Sequence, residues 1–298
     1  MAKSARAKSD PRPTVVVYGN CQADATASIF NRDPGFSERF RAIFFPGYDH
    51  PTKKAEHIPR EDLAACAVLL EQHDQVGFTQ RDLLPPDVRV VKFPSLDFNL
   101  FWPFNTVNPF NSADPGKPIG LFPYGDRVII GCVKKGMQAD EIFDYYMSGW
   151  DEYKVDLHRL AALETARIAS RDARSNVKLG ALILQHFHTQ RLFWTVNHPT
   201  ADLLTEMTGR LLTAAFPNQT WAQQAHLRET ILAYFSPLGP LGSIDVPIHP
   251  GVAAHLKLSW YDFDEKHRLS DGRAVSYGEY FHEMIKVSVE RHAEGSTS

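Results

Sequence analysis

Cys21 and a few of the histidines are the residues whose types and positions reach beyond packing. Cys21 stands in Gly19-Asn20-Cys21-Gln22, after the apolar, β-branched run 14–18 and before an alanine-rich segment, 23–30. An apolar run, a glycine, three polar residues and a helical stretch predict a strand, a sharp turn and a helix N-terminus. A thiol in such a turn meets unpaired backbone N–H groups and the positive end of a helix dipole. Its pKa is therefore expected to fall below the free value of about 8.5. The competing reading is a small residue that fills a tight turn. As a thiolate, Cys21 would attack an ester or thioester carbonyl, with Asn20, Gln22 and the turn N–H groups holding the oxyanion.

Such chemistry needs a base, and two histidines qualify. His73 ends the third apolar run in Glu71-Gln72-His73-Asp74, and His198 lies in Asn197-His198-Pro199-Thr200. A residue before proline is biased away from helix, which puts His198 at a helix entrance with Thr200 as the cap. The plainer reading of this segment is capping and packing. His186 and His188 add density to the region but lack cysteine or carboxylate partners at ligand spacing, so no metal is expected.

The elements that position these residues follow from hydrophobic pattern. Apolar runs at 14–18, 41–45, 67–70 and 88–93 alternate with helical segments at 23–30, 60–65 and 79–84, with Thr79 as a cap. Continuous runs predict a small parallel, Rossmann-like sheet in the N-terminal half, covered on both faces. Ligands gather at the carboxyl ends of such strands, where Cys21, Tyr48 to His50, His73 and Ser95 all fall. The stretch from Pro94 to Gly136 reads as irregular and aromatic, with Phe98, Phe101, Trp102, Phe104, Phe110, Phe122 and Tyr124. Most of these are expected to pack the loop onto the sheet, and the rest to line a cleft. Arg127 to Val133 reads as a further strand, followed by Lys134-Lys135-Gly136, a pair suited to phosphates or to a solvated turn.

From Gln138 the pattern is helical, over 140–150, 155–173, 177–185, 201–216 and 221–235, with later elements at 256–261 and 277–291. The expected fold is α/β, with a predominantly α-helical C-terminal half. Its organisation is a disordered tail, 1–13, an α/β domain, 14–136, and a helical region, 137–298, packed on it.

Composition narrows the class. A net charge of −3, from 32 basic and 35 acidic residues, leaves no nucleic-acid footprint. Three cysteines without a CxxC pair argue against a disulfide framework and for a reducing, cytoplasmic setting. Cys66 and Cys132 read as buried, inert thiols. No apolar run reaches the ~20 residues of a membrane span.

Several of these segments together resemble one family. Gly19-Asn20-Cys21-Gln22, Asn197-His198-Pro199-Thr200 and Ser276-Tyr277-Gly278-Glu279-Tyr280-Phe281 look like the WcbI-type polysaccharide biosynthesis enzymes, as do Phe93-Pro94-Ser95-Leu96 and Phe122-Pro123-Tyr124-Gly125. The resemblance runs from about Thr14 onward. It implies bacterial capsule assembly, binding of coenzyme A or acetyl-CoA, and O-acetylation of a sugar or polysaccharide-precursor acceptor. The family motif maps onto Gly19, Asn20, Cys21, Gln22 and His198-Pro199, and the lysine pair 134–135 joins the coenzyme-binding set through its charge. The turn is also similar to the Gly-Asp-Ser nucleophile turn of SGNH hydrolases and acyltransferases, although Thr195 stands where their acidic orienter would precede His198. A cysteine-dependent esterase and a coenzyme- or partner-binding protein without chemistry are the alternatives.

Overall fold

The computed structural model describes residues 10–47, 58–73, 75, 77–113, 117–219, 224–235 and 237–296. The first nine residues of the expected tail and the loop carrying Tyr48 to His50 lie outside them. The chain opens with β1 (Thr14–Gly19), α1 (Cys21–Arg32), α2 (Pro34–Ser37), β2 (Arg41–Pro46), α3 (Arg60–Ala64), β3 (Cys66–Gln72) and β4 (Arg89–Phe93). The four strands form one parallel sheet in the order β2-β1-β3-β4. From β1 the chain first builds outward to β2, then crosses back to lay β3 on the other flank. The crevice of such a sheet therefore opens between the carboxyl ends of β1 and β3.

Alternation within the strands explains why both faces are covered. Val15, Val17, Val68 and Leu70 join the large core with α1, while Val16, Tyr18 and Leu69 turn to the opposite face with Leu63 and Phe78. All of these are buried, which accounts for the continuous apolar runs.

The stretch after β4 is less irregular than its prolines predict. It holds a short antiparallel hairpin, β5 (Asn105–Val107) with β6 (Tyr124–Asp126), and then α4 (Arg127–Lys134). The strand expected over Arg127 to Val133 is thus a helix. Asp126 accepts hydrogen bonds from the N–H groups of Val128 and Ile129, a side-chain cap that starts a helix. Ile129, Cys132 and Val133 then share its buried face at i, i+3 and i+4, so the β-branched composition is overridden by the cap and by packing. The aromatics Phe98, Phe101 and Phe122 are buried and pack as expected.

The remaining elements are α5 (Ala139–Ser148), α6 (Trp150–Tyr153), α7 (Leu157–Ala173), α8 (Gly180–His186), β7 (Phe193–Thr195), β8 (His198–Pro199), α9 (Ala201–Ala215), α10 (Gln224–Phe235), α11 (Pro250–Leu256), β9 (His267–Arg268), β10 (Ala274–Val275) and α12 (Tyr277–Ser296). Two expected elements differ. The segment 79–84 forms only a 3-10 turn at Arg81–Leu83, cut off by Pro85, and 256–261 begins as the last residue of α11 and continues as a turn. α9 packs on β3 and β4, so helices of the C-terminal half close over the sheet. α4, α5 and α12 share a second core around Phe122, Tyr146, Tyr280 and Met284. The expected boundary at residue 136 lies between α4 and α5, which this core joins. No described helix is long and apolar enough to cross a membrane.

Candidate functional site

The Gly19–Gln22 turn sits at the β1/β3 crevice, and its own side chains brace it there. A Cβ on Gly19 would lie 2.5 Å from Gln72 Oε1 and 2.7 Å from Gln72 Cβ, so only glycine lets β3 approach this closely. Gln72 Oε1 accepts from the Asn20 N–H at 2.8 Å. Asn20 Oδ1 caps α1 through the Gln22 N–H at 2.9 Å, and Asn20 Nδ2 donates to Ser95 Oγ at 3.2 Å. Gln22 is fully buried. Its Nε2 donates to the carbonyls of Leu96 and Asn197, and its Oε1 accepts from the Leu96 N–H and from Gln72 Nε2. One side chain thus ties α1, β3, the loop after β4 and the segment before α9.

That tie brings Cys21 and the Asn197-His198 segment into one neighbourhood. Tyr124 donates to Asn197 Oδ1 at 2.8 Å, and its hydroxyl lies 3.3 Å from His198 Nε2, with the two rings edge to face. Thr195 donates to the same Asn197 oxygen at 3.2 Å. His198 Nδ1 is buried without a hydrogen-bond partner among the described residues. Burial lowers the His198 pKa to about 4, against the opposing pull of the Leu241 backbone, so the ring is neutral at pH 7.

The expected fall in the Cys21 pKa does not occur. Burial raises it to about 11, outweighing the N–H groups of Cys21 and Gln22, and the Asp24 carboxylate pushes the same way. The helix N-terminus is present and Cys21 keeps partial exposure, but desolvation by its surroundings outweighs the terminus. The amides of Asn20 and Gln22, expected to face a ligand, are engaged in bracing. Within the first turn of α1, Gln22, Ala23 and Asp24 also direct their N–H groups to Asn20. The Cys21 N–H remains, with its own sulfur as its neighbour.

His73 continues β3 past Gln72, and its Nε2 lies 2.6 Å from Ser175 Oγ, at the end of α7. Thr200 takes the cap position of α9, yet its side chain makes no cap hydrogen bond. Lys134 and Lys135 are exposed at the C-terminal end of α4, where their charge complements the helix dipole. Among the described residues, no hydrogen bond or ion pair links them to the turn. A narrow cleft bordered by Ser95, Leu96, Arg171 and Gly180 adjoins the turn.

Two further groupings were not legible from spacing. Asp245, Glu265 and His267 bring candidate ligand atoms within 4.8 Å of one another. Arg191 pairs with both carboxylates, and Arg268 pairs with Asp245, so their charge is already balanced inside the protein. The other is a cavity beside Tyr124, between the β5–β6 hairpin and α12, with Asp126 and His249 in its wall. Burial raises the Asp126 pKa to about 6 and lowers that of His249 to about 4. Gln72 and Ser95 flank named motif residues, and the strand-end rule alone points to them. Tyr124 is legible as one of the loop aromatics and as part of the family-like Phe122-Pro123-Tyr124-Gly125 piece, without any sign of its partners Asn197 and His198.

The family model described as polysaccharide biosynthesis enzyme WcbI matches residues 14–219. No curated protein matches the chain. A solved structure, described as structural insights into WcbI, a novel polysaccharide biosynthesis enzyme, aligns with a TM-score of 0.69 at 18% identity, over 95% of this chain and 93% of that one. It is further described as native protein without a disulfide bond between coenzyme A and one of its cysteines.

Proposed function

The chain belongs to the WcbI family of polysaccharide biosynthesis enzymes, and we propose that it binds an acyl-coenzyme A at the Gly19–Gln22 turn and passes the acyl group to a sugar hydroxyl. The observation that carries this reading is the Gln22 tie, which holds the Cys21 turn against the Asn197-His198 segment. Coenzyme A, named with a cysteine of the similar solved structure, supports the placement of the thioester at this turn.

In the proposed reaction the sugar oxygen attacks the thioester carbonyl directly. The Cys21 N–H, at the positive end of α1, donates to the developing oxyanion. The new carbon–oxygen bond forms, the carbon–sulfur bond breaks, and coenzyme A leaves as its thiolate. His198, neutral in the resting protein, takes the hydroxyl proton and returns it to that thiolate. An anionic intermediate beside the ring raises its basicity as the reaction proceeds. A thiol with a pKa of about 11 is a poor resting nucleophile, so Cys21 is assigned to the pocket wall beside the sulfur of the coenzyme rather than to an acyl intermediate. The donor and the free thiols suit a cytoplasmic setting.

Mass spectrometry of the protein with acetyl-CoA tests this. The expected result is a complex that survives native conditions and leaves no acetyl group on Cys21 after denaturation, with Cys21→Ser keeping most of its turnover on a responsive sugar. Absence of the native complex would defeat the coenzyme assignment. An adduct mapping to Cys21 would restore the covalent route.

A further inference from the structure

Residues 237–242, Pro-Leu-Gly-Pro-Leu-Gly, interrupt the helices between α10 and α11 and lie against the segment that follows His198. Gly239 has a φ of +78°, and a Cβ on it would lie 3.1 Å from the Cα of Ala201, the first residue of α9. Glycine alone combines that conformation with so close an approach. Two side chains from elsewhere grip the main chain of this loop. Trp194 Nε1 donates to the Leu238 carbonyl at 3.0 Å, and Arg268 Nε donates to the Gly242 carbonyl at 2.7 Å. The Arg268 guanidinium lies over the Trp194 ring, 4.5 Å from its centroid. Asp245 holds Arg268 in turn: its Oδ1 accepts from the Arg268 backbone N–H at 2.6 Å, and its Oδ2 lies 3.2 Å from Nη2. Leu241 stands between the two gripped carbonyls. Burial lowers the His198 pKa, and the Leu241 backbone is the group that opposes it.

This loop bears on which nitrogen of His198 works. Nδ1 is buried, so an incoming hydroxyl does not reach it, and a base at this position acts through Nε2. Nε2 has a free lone pair only when the neutral ring carries its proton on Nδ1, and the partner of Nδ1 decides that. Asn197 Oδ1, the nearby side-chain acceptor, is already taken by the hydroxyls of Tyr124 and Thr195. No described side chain accepts from Nδ1. A main-chain carbonyl of the gripped loop is what remains.

We propose that Arg268 is a positioning residue for His198: anchored on Asp245 and stacked on Trp194, it fixes the loop 237–242 so that the Leu241 carbonyl takes the Nδ1 proton and Nε2 is left as the base. The contact falls short of a full hydrogen bond in the resting protein and tightens as the ring takes its second proton, the usual behaviour of a catalytic hydrogen bond. The role of the base rests on the acyl-transfer reading, whereas the tautomer does not.

NMR of the protein with 15N-labelled histidine reads each ring's tautomer without any acyl transfer, and His198→Gln identifies the His198 signal. The Nδ1–H form is expected at pH 7. Arg268→Lys keeps a positive charge beside Asp245, but a single ammonium does not span that carboxylate and the Gly242 carbonyl as the planar fork does. Trp194→Phe keeps an aromatic ring and removes the donor to Leu238. Each should move His198 toward the Nε2–H form. On a responsive sugar each should lower kcat by about three- to tenfold, the worth of one neutral hydrogen bond, with KM for acetyl-CoA unchanged. Thermal unfolding checks that the variants fold, and either one alone suffices. An Nε2–H tautomer in the wild-type protein overturns the proposal, as does a His198 ring whose tautomer does not respond in a folded variant. A loss confined to KM overturns it too. Wild-type protein that transfers no acetyl group to any sugar, yet shows the Nδ1–H form and its response, refutes the acyl-transfer reading and upholds the positioning of His198.

Discussion

Alkylation of Cys21 as a function of pH decides whether its thiol is buried-neutral or activated. With a pKa of about 11 the thiol is ionised to roughly one part in 3,000 at pH 7.5, against about one in ten for a free cysteine of pKa ~8.5. Ionisation alone slows alkylation by about 300-fold. A more basic thiolate is also more nucleophilic, and a Brønsted slope of about 0.4–0.5 over ~2.5 units returns about a factor of ten. The net expectation is a rate about 30-fold below that of a free thiol at pH 7.5. Iodoacetamide labelling followed by peptide mapping measures this at Cys21 alone, since Cys66 and Cys132 are buried. The rate should rise tenfold per pH unit from pH 7 to 10 without levelling. Asp24→Asn should move the curve to lower pH, because that carboxylate adds to the upward shift. A plateau below pH 9, or a neutral-pH rate above that of free cysteine, would refute the claim that burial overrides the helix terminus.

Gln22→Ala removes four hydrogen bonds, three of them fully buried, and strands the Leu96 groups, so it should destabilise the fold by about 3 kcal/mol in urea unfolding and weaken coenzyme binding. An unchanged midpoint would show that the turn does not depend on this tie. The Asp126 pKa is raised from 3.8 to about 6, so the native state holds the proton longer and this group's stability contribution falls as pH rises through that window, by about 3 kcal/mol. Asp126→Asn keeps a cap oxygen and should therefore unfold at a higher temperature than wild type at pH 7.5, with the gap closing at pH 4. His249 has the opposite sign. Its pKa falls from 6.5 to about 4, so the unfolded chain takes up the proton first and stability is lost by about 3 kcal/mol as pH drops through that range. His249→Asn, which can still cap α11, should flatten the acid limb of the unfolding curve, and an unaltered limb would count against it.

The local signals in the chain were strong where one element decides its own conformation. The run 14–18, the glycine and the alanine-rich segment specified β1, the turn and α1. The apolar spacing of Leu203, Leu204, Met207, Leu211 and Leu212 marked the fully buried face of α9. α4 was misread because Val128, Ile129 and Ile130 resemble a strand, while the cap at Asp126 is a single residue. The acidity of Cys21 was misjudged for a different reason. The turn supplies the lowering influence locally, whereas the larger, raising one is desolvation, which depends on the packed fold and has no local signature, with Asp24 adding to it. Likewise the pairing of Tyr124 with Asn197 and His198 has no sequence period behind it, and only the fold places them together.

The bond from Gln22 to the Asn197 carbonyl closes a loop of 175 residues. Closure of so long a loop is entropically slow, whereas the pairing of β1 with β2 and the packing of α1 need only local chain. During synthesis the Cys21 turn must therefore wait, unbraced, until Asn197 has emerged and docked. The sheet can be native while the reactive turn is not. Because the acceptor is a main-chain carbonyl, the brace depends on where the backbone at 197 docks and not on which side chain stands there.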